Sequence, residues 1–164
     1  MRVAVVYFSF TGNTWKVVSK IIELLSERGF QTSEIRLKGG EGTFIGNCLR
    51  ALFRLKPKTD RQRWDLSGYD FIFLGTPVWA FSPAPAVNAF LERCSGLEGK
   101  NGAIFVTYGS GIGKERTLKI MKRELLGKGM KEVFSFSIQD NVVKKDKNLD
   151  KKVKFFLDSA PLPL

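Results

Sequence analysis

Arg2-Val3-Ala4-Val5-Val6-Tyr7-Phe8-Ser9-Phe10-Thr11-Gly12-Asn13-Thr14 opens the chain and decides how the rest is read. Val3 to Phe8 is an unbroken apolar run rich in β-branched and aromatic residues. Such a run suits a strand buried on both faces of a parallel sheet. Val18, Ile21, Ile22 and Leu25 then recur at helical spacing, and Gly29 closes that helix. Ser9 to Thr14 therefore joins a buried strand to a helix N-terminus. Gly12 lets the backbone turn tightly, and the hydroxyls of Ser9, Thr11 and Thr14 are donors. Convergent N–H groups at the positive end of a helix form a phosphate site. The helix-end field contributes about 0.3–1 kcal/mol, and each hydrogen bond to a charged group adds roughly 1.5–3 kcal/mol. The plainer alternative is a turn in which Asn13 or Thr14 caps the helix. The loop is neither a P-loop nor a dinucleotide fingerprint.

Further strands follow. Phe71–Leu74 and Ala103–Val106 are again continuously apolar. Thr32–Leu37 and Val133–Ile138 alternate and read as edge strands. Helical faces lie between them: Ile45, Leu49, Leu52 and Phe53, stopped by Pro57; Val87, Phe90 and Leu91, closed near Gly96; Leu118, Met121, Leu125 and Leu126, closed near Gly127 and Gly129. Leu149, Val153, Phe156 and Leu157 form a short last helix, and residues 158–164 read as a tail. This alternation predicts one α/β domain over residues 1–164, a doubly wound five-stranded parallel sheet of order 2-1-3-4-5 between two helical layers. Ligands bind such sheets at the carboxyl ends of strands 1, 3 and 4.

Two more loops lie at those ends. Gly75-Thr76-Pro77-Val78-Trp79-Ala80-Phe81-Ser82-Pro83-Ala84-Pro85 is stiffened by prolines and carries two aromatics on which a flat ring could stack. Either aromatic could instead pack into the core. Thr107-Tyr108-Gly109-Ser110-Gly111-Ile112-Gly113 offers N–H groups from a glycine-rich turn, with Tyr108 beside them. The expected ligand-binding residues are Ser9, Phe10, Thr11, Gly12, Asn13, Thr14, Thr76, Pro77, Val78, Trp79, Phe81, Thr107, Tyr108, Gly109 and Gly111.

Composition narrows the chemistry. The 164 residues contain no histidine, which excludes a Ser-His-Asp hydrolase and a histidine-ligated metal centre. Redox chemistry would then need a bound organic cofactor. Cys48 and Cys94 form no C-x-x-C pair and read as buried thiols. The absence of a signal-peptide layout or long apolar run points to the cytoplasm. Net charge is +11, concentrated at Arg50, Arg54, Lys56, Lys58, Arg61 and Arg63, and at Lys144, Lys145, Lys147, Lys151, Lys152 and Lys154. Such a field attracts acidic proteins, nucleic acid or anionic lipid, or serves only to keep the surface solvated.

SFTGNT, GTPVWAFSPAP and TYGSGIG, after the first, third and fourth strands, resemble the flavodoxin family. The resemblance runs from Val3 to about Leu157 and implies the short-chain form, with FMN as cofactor. It implies phosphate contacts from Ser9 and Thr11–Thr14. It also implies ring contacts from Pro77, Val78, Trp79, Phe81 and the Tyr108–Gly109 loop. Electron-carrying members are usually acidic and place a flippable glycine beside the flavin N5, whereas this chain is basic and Val78–Phe81 contains none. Positive charge favours the anion of reduced FMN, so the couple for full reduction is expected at a less negative potential than in acidic relatives. The leading expectation is an FMN redox protein exchanging electrons with an acidic protein partner. The alternatives are an NAD(P)H-dependent FMN quinone reductase and a non-redox module whose Arg50–Arg63 stretch grips nucleic acid.

Overall fold

The sequence alternation becomes a sheet whose two faces separate by residue parity. The computed structural model describes residues 1–38, 63–160 and 162. Five parallel strands form the main sheet: β1 (Arg2–Tyr7), β2 (Gln31–Arg36), β4 (Phe71–Trp79), β7 (Asn101–Tyr108) and β8 (Glu132–Gln139). Their order is β2-β1-β4-β7-β8, the expected doubly wound topology. β2 and β8 are the edges and carry the alternating pattern, with one wetter face each.

Val3, Val5 and Tyr7 point to one side with Phe71, Phe73, Ala103 and Phe105, and meet α1 (Asn13–Glu27) and α5 (Asp146–Ser159). Ala4, Val6 and Phe8 point to the other with Ile72, Leu74, Ile104 and Val106, and meet α2 (Pro85–Arg93) and α3 (Lys114–Gly127). Strand side chains alternate between faces, so a central strand must be apolar throughout to bury both. Gly75 is needed for close approach: a Cβ there would lie 2.2 Å from Phe105 Cζ on the paired strand. The Tyr7 hydroxyl donates to Glu34 Oε1 at 2.5 Å, fastening edge strand β2 to β1. Burial, then the Glu34 carboxylate, pushes the Tyr7 phenol well above its ordinary range.

Several features depart from the sequence expectation. Gly75–Pro85 is not an open loop. β4 runs on to Trp79, and a two-residue turn at Ala80-Phe81 returns the chain as β5 (Ser82–Pro83), antiparallel to β4. Pro85 then occupies the first turn of α2, where its missing N–H costs nothing. A small parallel pair, β3 (Trp64–Asp65) with β6 (Cys94–Ser95), was not anticipated, nor was the single turn α4 (Asp140–Val143). Leu126 is exposed rather than core. The helix expected over Ile45–Phe53, Cys48 and the basic run from Arg50 to Arg61 lie outside the described residues.

Cys94 is buried, and burial pushes its thiol up to about 11. Only the thiolate reacts. In a Cys48→Ser variant, Cys94 is therefore expected to resist a disulfide reagent at pH 8 until denaturant is added, as read by thiol titration.

Candidate functional site

Three chain reversals meet at the carboxyl edge of β1, β4 and β7. In the first, Gly12 takes a left-handed conformation (φ 91°) as the N-cap of α1 and, as a glycine, brings no capping side chain of its own. The capping role considered for Asn13 or Thr14 is therefore not what the chain adopts. The first intrahelical bond runs from Lys16 N–H to the Gly12 carbonyl at 3.0 Å. The N–H groups of Asn13 and Thr14 precede it and look outside the helix for a partner. Ser9 is buried, and its Oγ accepts from Trp15 N–H at 3.2 Å, leaving the hydroxyl proton to donate elsewhere. Thr11 is exposed at the tip. Thr14 is buried, and its hydroxyl shares a 2.9 Å hydrogen bond with that of Thr107. This bond ties the start of α1 to the end of β7.

The second reversal is the Ala80-Phe81 turn. Both residues have positive φ, 44° and 64°, as a tight hairpin demands and as glycine or asparagine would adopt more easily. Holding two such residues there costs about 1–2 kcal/mol each. Thr76 staples the hairpin: its Oγ1 accepts from Ala84 N–H and donates to the Pro77 carbonyl, both at 3.0 Å. Trp79 is only 6% exposed and lies edge-on between Phe8 and Phe10, with ring centroids 5.4 and 5.5 Å away. Phe81, next but one, is 43% exposed.

The third reversal, after Tyr108, rests on the second. Gly113 (φ 86°) comes so close to Phe81 that a Cβ would lie 2.8 Å from Phe81 Cα. Gln139 Nε2 donates to the Gly109 carbonyl at 3.1 Å, bracing the loop from β8. Lys114 Nζ sits 4.8 Å from the centroid of the Tyr108 ring, and interaction with the Tyr108 hydroxyl holds that ammonium above its ordinary range.

Between the second and third reversals lies a cavity of about 240 Å³ lined by Val78, Ala80, Phe81, Tyr108, Gly109, Ser110 and Ile112. Val78, Phe81, Tyr108 and Gly109 were expected there; Ala80, Ser110 and Ile112 were not. Trp79, Thr76 and Thr107 are buried and are not part of its lining. Pro77 pairs with Thr107 in the sheet, and Gly111 packs 3.6 Å from Tyr108 Cε2 by its would-be Cβ.

Residues 1–141 match the model of the family described as NADPH-dependent FMN reductase. The chain belongs to that family. The FMN reductase-family fold is also seen in solved structures. An oxidised flavodoxin from Bacillus cereus superposes with a TM-score of 0.66 at 17% identity, covering 96% of both chains. An NADH:FMN oxidoreductase gives 0.66 at 19% identity, covering 99% of this chain and 91% of that one. A Lactobacillus acidophilus flavoprotein in complex with FMN gives 0.60 at 22%, covering 92% and 97%. The protein is thus a flavodoxin-like member of the FMN reductase family, with redox function and FMN as its cofactor.

The residues present fit that group. The cavity is smaller than the roughly 300–1,000 Å³ of a whole-ligand pocket, and its lining includes two aromatics, Phe81 and Tyr108, of the kind a flat ring packs against. The start of α1 has the N–H groups of Asn13 and Thr14 outside the helix's own bonding and no carboxylate in its first turn, the chemistry a phosphate monoester requires.

Proposed function

We propose that the chain holds FMN with its phosphate on Ser9–Thr14 and its ring between Phe81 and Tyr108, and exchanges electrons with an acidic protein partner. The observation that carries the partner is the surface around the cavity. Phe10, Trp15, Phe81 and Ile112 are four of the six exposed large hydrophobics among the described residues, and all four belong to the reversals or to the first turn of α1. Large exposed apolar groups gathered at one edge mark an interaction site. Lys16, Lys114 and Arg116 stand among them against two carboxylates, Glu115 and Asp140, the latter 3.8 Å from the would-be Cβ of Gly109. An acidic partner therefore meets complementary charge, which steers encounter and sets the orientation.

Within this reading the chain's groups divide the work. Donors of the first reversal bind and orient. Phe81 and Tyr108 shield the ring faces from water. Lys114, held over Tyr108, keeps a positive charge beside the cavity, which favours reduction to an anion. FMN supplies the electron-accepting chemistry when bound. The cytoplasm is the compartment that suits the reading.

A second reading is an NADPH-dependent reductase passing the two electrons and one proton of a hydride to a quinone, which takes its second proton from water to become the quinol. The family match favours it, since NADPH is named in the family's description. Mixing the FMN-loaded protein with NADPH without oxygen, then adding a quinone, separates the two. The partner reading predicts slow bleaching of flavin absorbance by NADPH alone. It also predicts fast, salt-sensitive reduction by an acidic flavoprotein reductase. Rapid bleaching and multiple turnovers with quinone would assign the reductase.

A further inference from the structure

The last helix presents a face that the redox site does not use. In α5, Leu149, Val153 and Leu157 are buried at four-residue spacing against the sheet. Phe155 falls two residues after Val153, about 200° around the axis and so on the outward side. It is 74% exposed, the largest exposure of any large hydrophobic among the described residues. Lys151 and Lys152, at the i−4 and i−3 positions, are its neighbours on that surface. Lys144, Lys145, Lys147 and Lys154 are exposed as well.

Of the three acids in this segment, Asp146 is exposed between Lys145 and Lys147, and the other two are turned to another purpose. Asp158 pairs with Arg28 at 2.5 Å and Asp150 with Lys20 at 3.5 Å, both reaching sideways to α1. The six lysines form no ion pair among the described residues. The exposed side of α5 therefore carries one apolar ring with Lys147, Lys151, Lys152 and Lys154, with Lys144 and Lys145 just before the helix, the exposed acids Asp146 and Asp158, the second paired with Arg28, and no arginine.

We infer that this face of α5 docks the protein peripherally on an anionic lipid surface, with Phe155 entering the headgroup boundary and the lysines meeting lipid phosphates and carboxylates. A single convex helix with an apolar centre and flexible cationic rim suits a flat, diffuse array of negative charge. Lysine is a point charge on a long stem, whereas phosphate-backbone recognition draws on the planar fork of arginine. No helix among the described residues is long and apolar enough to cross a membrane, so the attachment is reversible. The inference does not depend on FMN or on the partner edge.

The test is co-sedimentation of the full chain with phosphatidylcholine vesicles and with vesicles of phosphatidylcholine and phosphatidylserine. The protein is expected to sediment with the second only, and to be released as salt is raised. Phe155→Ser should weaken binding several-fold at unchanged salt dependence. Lys151→Gln with Lys152→Gln should weaken it roughly tenfold or more and flatten the salt dependence. All three positions are exposed, so equal melting temperatures will show that the variants are folded. Failure to bind phosphatidylserine vesicles would overturn the inference. So would binding indifferent to Phe155, matched by equal affinity for duplex DNA, which would mark the face as a general polyanion surface.

Discussion

Gly113→Ala is expected to cost about 2–4 kcal/mol of stability and to weaken FMN binding at least tenfold. Two penalties act together. Gly113 has φ 86°, where a side chain is strained by about 1–2 kcal/mol. The new Cβ would also lie 2.6 Å from Phe81 Cδ1 and 2.8 Å from its Cα. The ring can swing aside, but the Cα belongs to the Ala80-Phe81 turn, which is already strained. The second and third reversals must separate, and the cavity between them widens. Gly12→Ala is the control. Its φ is 91° with nothing within 4 Å of the added atom, so it pays for conformation alone. Thermal unfolding should rank Gly113→Ala well below Gly12→Ala. Equal melting temperatures would mean that the Phe81 contact carries no load.

Trp79→Ala and Phe81→Ala are expected to part company. Trp79 is buried between Phe8 and Phe10, and truncating a buried aromatic costs about 3–5 kcal/mol. Phe81 is exposed, and its loss should change stability by less than about 1 kcal/mol. Phe81 faces the cavity, so losing one ring contact of about 0.5–1.5 kcal/mol should raise the Kd for FMN roughly two- to twelvefold. Urea unfolding and flavin titration on both variants read the two effects. If Trp79→Ala were stable and lost FMN while Phe81→Ala kept it, the roles of the two aromatics would be exchanged.

The same pair shows how far the sequence reached. Continuous apolar runs at Val3–Phe8, Phe71–Leu74 and Ala103–Val106 suited central strands, and alternation at 32–37 and 133–138 suited edges. The topology followed from those periods. Gly75–Pro85 misled because three prolines read as stiff loop, whereas Pro77 and Pro83 lie in strands that need no N–H from them. Ala80-Phe81 gives no turn signal, because the usual Asn-Gly chemistry is absent and tertiary contact with Gly113 enforces the turn. Without the hairpin, nothing ordered Trp79 against Phe81. Two-residue strands such as Trp64–Asp65 are too short to carry a period. In the site, the donors of Ser9–Thr14 were legible from residue chemistry. Ala80, Ser110 and Ile112 were missed because they contribute position rather than a functional group. Their place between expected residues was the only signal available.

The proposed site joins a phosphate cradle at the first reversal to a ring cavity. It is tested most directly by titrating the flavin-free protein with FMN and, in parallel, with riboflavin, following flavin fluorescence. FMN is expected to be strongly quenched and riboflavin to bind much more weakly, since the donors at Ser9–Thr14 have nothing to hold on a flavin without phosphate. Equal affinity for the two flavins would contradict the phosphate site, and absence of binding by either would contradict the site as a whole.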